Sequence, residues 1–124
     1  MNFDALFAKT DNKVVRCGLV GIGDFGASLL TQAEHVPNLK IALICDRDPA
    51  RMAAAVAAAG ADPADMAIVQ HMDDADDIQL DVLVEATGNP EAAAAVGEQA
   101  IDRGQHLVMV SKEAAVVAGP ILHA

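Results

Sequence analysis

The stretch that decides the fold is "RCGLVGIGDFGASLL", residues 16–30, where Gly21, Gly23 and Gly26 follow an apolar run at the spacing G-x-G-x-x-G. Three glycines alone are a weak pattern, because glycine is common and the template fixes few positions. The β-branched run "VVRCGLV" (14–20) before them predicts a strand, and the apolar spacing of "DFGASLLTQAEHV" after them predicts a helix. The stretch therefore predicts strand, tight turn and helix.

In that context the three glycines fit a loop that holds a pyrophosphate. Gly21 permits the tight turn, the missing side chain of Gly23 lets a pyrophosphate approach the backbone, and Gly26 allows close packing of helix on strand. Free N–H groups at the helix start would face the phosphates. Asp46 ends the apolar run "KIALICD" (40–46), 20 residues after Gly26, where an acid can accept hydrogen bonds from an adenosine ribose. Loop and acid together predict a nucleotide cofactor site.

The rest of the chain alternates between strand and helix patterns. Further strands are predicted at 66–71, 80–87 and 105–111, and helices follow the cap pairs Asp48-Pro49 and Asn89-Pro90. Repeated parallel crossovers build an open sheet, so we predict an α/β fold of the Rossmann type, a doubly wound parallel sheet of about five strands in the order 3-2-1-4-5. The acidic "DDADD" is expected to form a solvated turn or short helix, not a cation site.

Composition narrows the class of protein further. A chain of 124 residues that is 53% hydrophobic can bury the core of one domain, and its net charge of −10 opposes nucleic-acid binding. The sequence has neither a signal-peptide pattern nor an apolar stretch long enough to span a membrane, so we expect a cytoplasmic protein without a membrane partner. Cys17 and Cys45 are expected to be reduced, buried thiols, and the histidine spacing predicts no metal site.

The sequence leaves open whether the cofactor is NAD or NADP. Asp46 favours the free 2′-hydroxyl of NAD, whereas Arg47 and Arg51 could meet the 2′-phosphate of NADP. The opposing charges nearly balance, so the residues do not choose between the two cofactors.

The later sequence carries a family resemblance. "DVLVEATGNPEAAAAVGEQAIDRGQHLVMVSKEAAVVAGPIL" closely resembles the corresponding part of the homoserine dehydrogenase-like NAD(P)-binding proteins. It looks most like the branch often joined to a SAF domain, which includes the deoxyxylulose-phosphate reductoisomerase-like enzymes. "LFAK", "GLVGIGDFG" and "CDRDPAR" also look like that branch, so the resemblance covers almost the whole chain.

The resemblance implies a set of cofactor-binding residues. At the pyrophosphate these are Gly21, Ile22, Gly23, Asp24, Phe25 and Gly26; at the adenosine ribose, Asp46 and Arg47; further along the cofactor, the segment from Glu85 through Ala86 and Thr87 to Gly88. Ser111 and Lys112 occupy the place of an Asn-Lys pair in homoserine dehydrogenases, with Ser111 replacing the asparagine. Lys112 is thereby the catalytic candidate, an ammonium that could polarise a carbonyl or stabilise alkoxide charge.

The expected function is that of an NAD(P)-binding domain of an oxidoreductase, which binds the dinucleotide for hydride transfer to or from a small carbonyl or alcohol substrate. The alternative is a non-catalytic dinucleotide-sensing or assembly module; an S-adenosylmethionine-dependent methyltransferase is less favoured, because its glycine loop is spaced differently. We expect residues 1–13 to form an N-terminal helical segment and 14–124 the dinucleotide-binding core. The catalytic region is expected to lie outside this chain, which would be inactive alone, and a homo-oligomer is an open alternative for the full-length protein.

Overall fold

The computed structural model describes residues 13–111, in which five strands form one parallel sheet. The strands are β1 (Val15–Val20), β2 (Leu39–Cys45), β3 (Ala67–Val69), β4 (Val82–Glu85) and β5 (His106–Met109). Their spatial order is β3-β2-β1-β4-β5, which confirms the predicted Rossmann-type topology. Because the order reverses between β1 and β4, the connections after these two strands diverge and leave a crevice at the carboxyl edge of the sheet.

Three α-helices connect the strands, and their starting residues differ. The helices are α1 (Asp24–Ala33), α2 (Pro49–Ala59) and α3 (Pro90–Asp102). The side chain of Asp48 accepts two N–H groups in the first turn of α2, and that of Asn89 accepts one in α3, as the cap pairs predicted. Gly23 stands at the N-cap of α1, where no side-chain oxygen caps the helix.

The core lies on both faces of the sheet, because successive residues of a strand point to opposite sides. Leu19 and Ile44 pack with α1 and α2 on one face, whereas Val20 and Leu43 pack with α3 on the other. The largest fully buried apolar side chains are Leu19, Ile22, Leu30, Leu43, Ile44, Met52 and Leu83. Helices thus cover both faces, as a doubly wound sheet requires.

The two cysteines are free and buried, one on each face of the sheet. Burial raises the pKa of the Cys17 thiol to about 11. Burial also raises the pKa of the Cys45 thiol to about 11, and the negative charges of Asp46 and Asp74 add to that effect. Both thiols are therefore protonated packing residues near neutral pH.

The third strand is shorter than predicted, because the chain leaves the sheet after Val69. Residues Met72–Ala75 form a short 3-10 helix whose Met72 and Ala75 side chains are buried. The Gln99 amide donates to an Asp73 oxygen at 3.2 Å, and Arg103 pairs with Asp76. The acidic stretch therefore begins in a short helix and ends in a turn, the two expected forms, and its side chains contact α3 and its C-cap.

Within residues 13–111, no helix has the length and apolar character needed to cross a membrane. In the same range, no group of three His, Cys, Asp or Glu side chains has the arrangement of a metal site. The predicted N-terminal helical segment falls almost entirely on residues 1–12, which lie outside the described residues, as does everything after Ser111.

Candidate dinucleotide site

The turn after β1 depends on two of its three glycines. Gly21 has φ of +93°, a conformation that side chains disfavour, and a Cβ there would lie 2.5 Å from the carbonyl oxygen of Ala86. A Cβ on Gly26 would overlap the carbonyl oxygen of Gly21. Tight turning at Gly21 and close packing at Gly26 are thus the physical reasons for glycine at these positions.

Gly23 has a different environment. Its φ of −82° is available to any residue, and a Cβ built there would meet nothing within 4 Å. The position therefore opens onto free space directly before α1, whose N-terminus has no side-chain cap. The next two side chains, Asp24 and Phe25, are exposed. The start of α1 is thus an accessible surface of backbone N–H groups with the positive end of the helix dipole behind it.

Asp46 is held at the carboxyl end of β2 by backbone donors. One carboxylate oxygen accepts the N–H of Ile22 at 2.8 Å, and the other accepts the N–H of Asp48 at 2.9 Å. The Arg51 guanidinium lies 3.9 Å from the carboxylate, and the Asp46 side chain is 10% exposed. The acid is thereby fixed beside the glycine turn, although 24 residues separate it from Ile22 in sequence.

A groove of about 460 Å³ opens at this edge of the sheet. Its lining comes from the ends of β1 and β2, the 3-10 helix, the loop after β4 and helix α3. Gly21, Asp46, Arg47 and Thr87 line it, so the structure brings together predicted site residues from three separate parts of the sequence. The remaining lining is mixed, with apolar side chains such as Met72 and Val96 beside polar ones such as His71 and Asp73.

The loop after β4 is organised by Glu85, whose side chain is fully buried. One carboxylate oxygen accepts the N–H and the hydroxyl of Thr87, at 2.8 and 2.7 Å, and the hydroxyl of Ser111 at 2.7 Å. The other oxygen accepts the N–H of Ser111 at 3.2 Å. The carboxylate therefore joins the loop after β4 to the chain that follows β5.

The remaining predicted site residues differ in burial and in their hydrogen-bond partners. The side chain of Ile22 is buried in the core, and only its N–H reaches Asp46. The N–H of Ala86 donates to the carbonyl of Val20 at 2.8 Å, and that of Gly88 donates to the Ser111 hydroxyl at 2.9 Å. The predicted catalytic Lys112 lies outside the described residues.

Sequence reasoning placed Glu85 in a segment that lines the cofactor, yet its side chain lies buried behind that segment and touches Thr87 and Ser111. The signal in the sequence is an acid at the end of an otherwise apolar strand, "VLVE". A buried carboxylate needs donors. Two of them come from Thr87, two positions away, and two from Ser111, 26 positions away.

The sheet order, the glycine turn after β1 and the acid after β2 together define a Rossmann-type dinucleotide-binding domain. Residues 17–123 match the family model described as the homoserine dehydrogenase NAD-binding domain. The chain belongs to that family. The family predicted from the sequence resemblance is therefore confirmed. The narrower resemblance to the SAF-domain branch stays a prediction.

Solved dehydrogenase structures share the fold. The WlbA dehydrogenase from Bordetella pertussis, in complex with NADH and UDP-GlcNAcA, is 30% identical with a TM-score of 0.58, over 78% of this chain and 29% of that one. The WlbA dehydrogenase from Chromobacterium violaceum is 19% identical with a TM-score of 0.67, over 91% and 34%. The myo-inositol dehydrogenase from Lactobacillus casei is 18% identical with a TM-score of 0.66, over 77% and 28%.

The chain thus spans about a quarter to a third of the length of these dehydrogenases. The comparison with curated protein sequences found no match.

Proposed function

We propose that this chain binds NAD as the cofactor domain of an oxidoreductase that transfers hydride to or from a small carbonyl or alcohol substrate. The observation that carries the proposal is the 2.8 Å bond from the N–H of Ile22 to Asp46. It joins the acid suited to a ribose with the loop suited to a pyrophosphate, two groups that are adjacent in a dinucleotide. Family membership and the dehydrogenase neighbours favour this function over the non-catalytic sensing module.

The pyrophosphate would lie over Gly23. The open space there removes any steric barrier to close approach, and the uncapped N-terminus of α1 offers N–H groups to a dianion. Residues 21–26 would act through their backbone, because the side chain of Ile22 is buried and the glycines have none. The exposed side chains of Asp24 and Phe25 would border the ligand.

The adenosine would occupy the Asp46 end of the groove, on the β2 side of β1 and away from Thr87 and the loop after β4. Its carboxylate can accept hydrogen bonds from ribose hydroxyls while it remains bound to the N–H groups of Ile22 and Asp48, since each oxygen has more than one lone pair. Met72 and Val96 give the groove an apolar surface for the base, and Arg47 lines it with a planar cation. The lining therefore suits an adenine nucleotide.

The same geometry supports a preference for NAD over NADP. Two backbone N–H groups hold the Asp46 carboxylate, so it cannot swing away from a 2′-phosphate. Like charges about 5 Å apart repel by roughly 3 kcal/mol at an effective dielectric near 20. The Arg51 cation, which is half exposed, already lies beside the Asp46 carboxylate and would have to be shared with the phosphate. We propose that NAD binds more tightly.

The nicotinamide half would extend from β1 towards the carboxyl ends of β4 and β5, on the side opposite Asp46. Bound NAD would supply or accept the hydride there. Thr87, Gly88 and Ser111 are the described residues of that region, and the backbone after β4 would set the position of the ring. Lys112 keeps its proposed catalytic role as a carbonyl-polarising ammonium.

The proposed substrate class draws on the ligands of two solved neighbours. One of these structures is in complex with UDP-GlcNAcA and the other with myo-inositol, and both ligands carry hydroxyl groups. We propose a small substrate with a hydroxyl or carbonyl group, acted on in the cytoplasm and held by parts of the protein beyond the cofactor domain. Assembly as a homo-oligomer remains a prediction.

Calorimetric titration of NADH and NADPH into the 124-residue chain tests the proposal. We expect NADH to bind, NADPH to bind more weakly, and Gly23→Val to lose NADH binding because its side chain fills the pyrophosphate space. Ser28→Val is the matched control, since it places the same side chain on an exposed position of α1. A folded wild-type chain that binds neither cofactor at millimolar concentration contradicts the proposal.

A further inference from the structure

The buried carboxylate of Glu85 is the feature that the binding geometry described above does not use. Its side chain has no exposed surface, and its strand neighbours Leu83 and Val84 are buried aliphatic residues. Placing a carboxylate there costs free energy unless donors surround it, whereas an aliphatic residue would complete the strand without any such requirement. The role of the acid must therefore lie in the donor groups that its oxygens bind.

Within the part of the chain that the structure describes, those oxygens receive four donors. The N–H groups of Thr87 and Ser111 are fixed by the main chain, and the hydroxyls of the same two residues complete the set, at 2.7 to 3.2 Å. All four partners donate, so the site is complementary to a side chain that only accepts. A carboxylate provides this on both oxygens.

The network continues into the loop after β4. The Ser111 hydroxyl, which donates to Glu85, accepts the N–H of Gly88 at 2.9 Å, and the Thr87 hydroxyl accepts the N–H of Asn89 at 3.2 Å. Three successive N–H groups, those of residues 87, 88 and 89, are thus bound directly or through one hydroxyl to a single carboxylate. This fixes the orientation of the loop's peptide planes.

We propose that Glu85 is a positioning residue that fixes the loop of residues 86–89 and Ser111 beneath the nicotinamide half of the dinucleotide. This rests on the proposed NAD function. Glu85 does not touch the ligand, because it is fully buried; it acts through Thr87, Gly88 and Ser111. The adenosine half is held on the other side of β1 by Asp46, whose bonds do not include any of these residues.

The isosteric change Glu85→Gln isolates this role. An amide has one accepting oxygen and one donating NH₂, whereas the main-chain N–H groups of Thr87 and Ser111 approach different oxygens and cannot turn away. Either amide orientation therefore sets a donor against a donor. The strand pairings of β4 with β1 and β5 use backbone groups, so the sheet does not depend on the substitution.

The test compares AMP with NADH on the 124-residue wild type, Glu85→Gln and the charge-matched control Glu98→Gln, an exposed position of α3. Circular dichroism first shows that each variant is folded. Calorimetry gives the affinities, and the fluorescence of bound NADH reports the surroundings of the nicotinamide. In Glu85→Gln we expect NADH affinity to fall about tenfold, as for one charged hydrogen bond, and its fluorescence to change, with AMP binding unaltered.

Equal losses for AMP and NADH would show a general structural defect and overturn the inference, as would unchanged NADH binding and fluorescence. A Glu98→Gln chain with the same selective loss would also overturn it, because surface charge would then explain the result. If Glu85→Gln does not fold, Ser111→Ala removes the hydroxyl that donates to Glu85 and accepts the N–H of Gly88, and it must give a smaller selective loss of NADH. A wild type that binds neither ligand refutes the NAD function itself, and the Glu85 role with it.

Discussion

Asp46 and Glu85 are both acids at the carboxyl ends of strands that pair with β1, one on each side. Asp46 keeps part of its surface accessible, lines the groove and accepts one backbone N–H on each oxygen. Glu85 has no accessible surface and accepts four donors. The donors already in place therefore decide what each acid can bind: the Asp46 oxygens can still accept bonds from a ligand, whereas the Glu85 oxygens are occupied by donors of the protein.

The largest expected difference between the two acids is in stability. Glu85→Ala leaves the N–H of Ser111, which is buried, and that of Thr87, which is partly buried, without an acceptor. We expect a loss of roughly 3 kcal/mol in the free energy of unfolding. Asp46→Ala leaves its two N–H donors beside a groove that water can enter, so a loss of about 1 kcal/mol is expected. Urea denaturation of both variants measures the two free energies of unfolding. Equal losses would contradict the assignment of Glu85 as the structural acid.

The next expected difference is in ligand selectivity, and here the larger effect is expected from the Asp46 variant. Asp46→Ala removes the proposed acceptor for ribose hydroxyls, so NADH affinity should fall about tenfold or more, as for the loss of one or two charge-assisted hydrogen bonds. NADPH should be affected less, because the variant also removes a repulsive charge from beside its 2′-phosphate. Calorimetry with both cofactors gives the ratio, and Asp62→Ala, an exposed cap of the 3-10 helix at Pro63–Asp65, is the control. An unchanged NADH-to-NADPH ratio would refute the ribose assignment.

The position of Asp46 beside the glycine turn could be predicted from the sequence because the evidence for it is local. Strand, glycine turn and helix follow from hydrophobic patterning, and the acid stands at a set distance from Gly26 at the end of the next strand. The order of the strands also followed, since short parallel crossovers have few ways to pack. Even the helix caps at Asp48 and Asn89 are local features, and the structure has them as predicted.

The network of Glu85 could not be predicted in the same way. Its key partner, Ser111, comes from beyond the next strand, and the contact exists only because β5 pairs with β4 in parallel. The short third strand has a similar cause: Met72 and Ala75 gain burial against neighbours, which ends the sheet pairing earlier than the apolar run suggests. Tertiary contacts decide both features, and a single sequence contains no direct signal of them.

The smallest expected effect uses Cys45, the residue next to Asp46, as a reporter of its charge. Burial and then the Asp46 charge raise the pKa of the Cys45 thiol, whereas burial alone raises that of Cys17. A thiolate is negative, so Asp46→Asn should lower the pKa of Cys45 below about 11 and increase its thiolate fraction at any fixed pH near 10. The chain has no Tyr or Trp, so absorbance near 240 nm reports the thiols directly.

A Cys17→Ala background leaves Cys45 as the one thiol in this titration. In that background Glu85→Gln should leave the Cys45 titration where it was, because the charges that raise this pKa are those of Asp46 and Asp74. A shift with Glu85→Gln as large as that with Asp46→Asn would mean that the buried carboxylate also acts on the groove electrostatically. The two acids would then differ in exposure but not in their electrostatic effect on the groove. The division between a ligand-facing and an internal carboxylate would then be wrong.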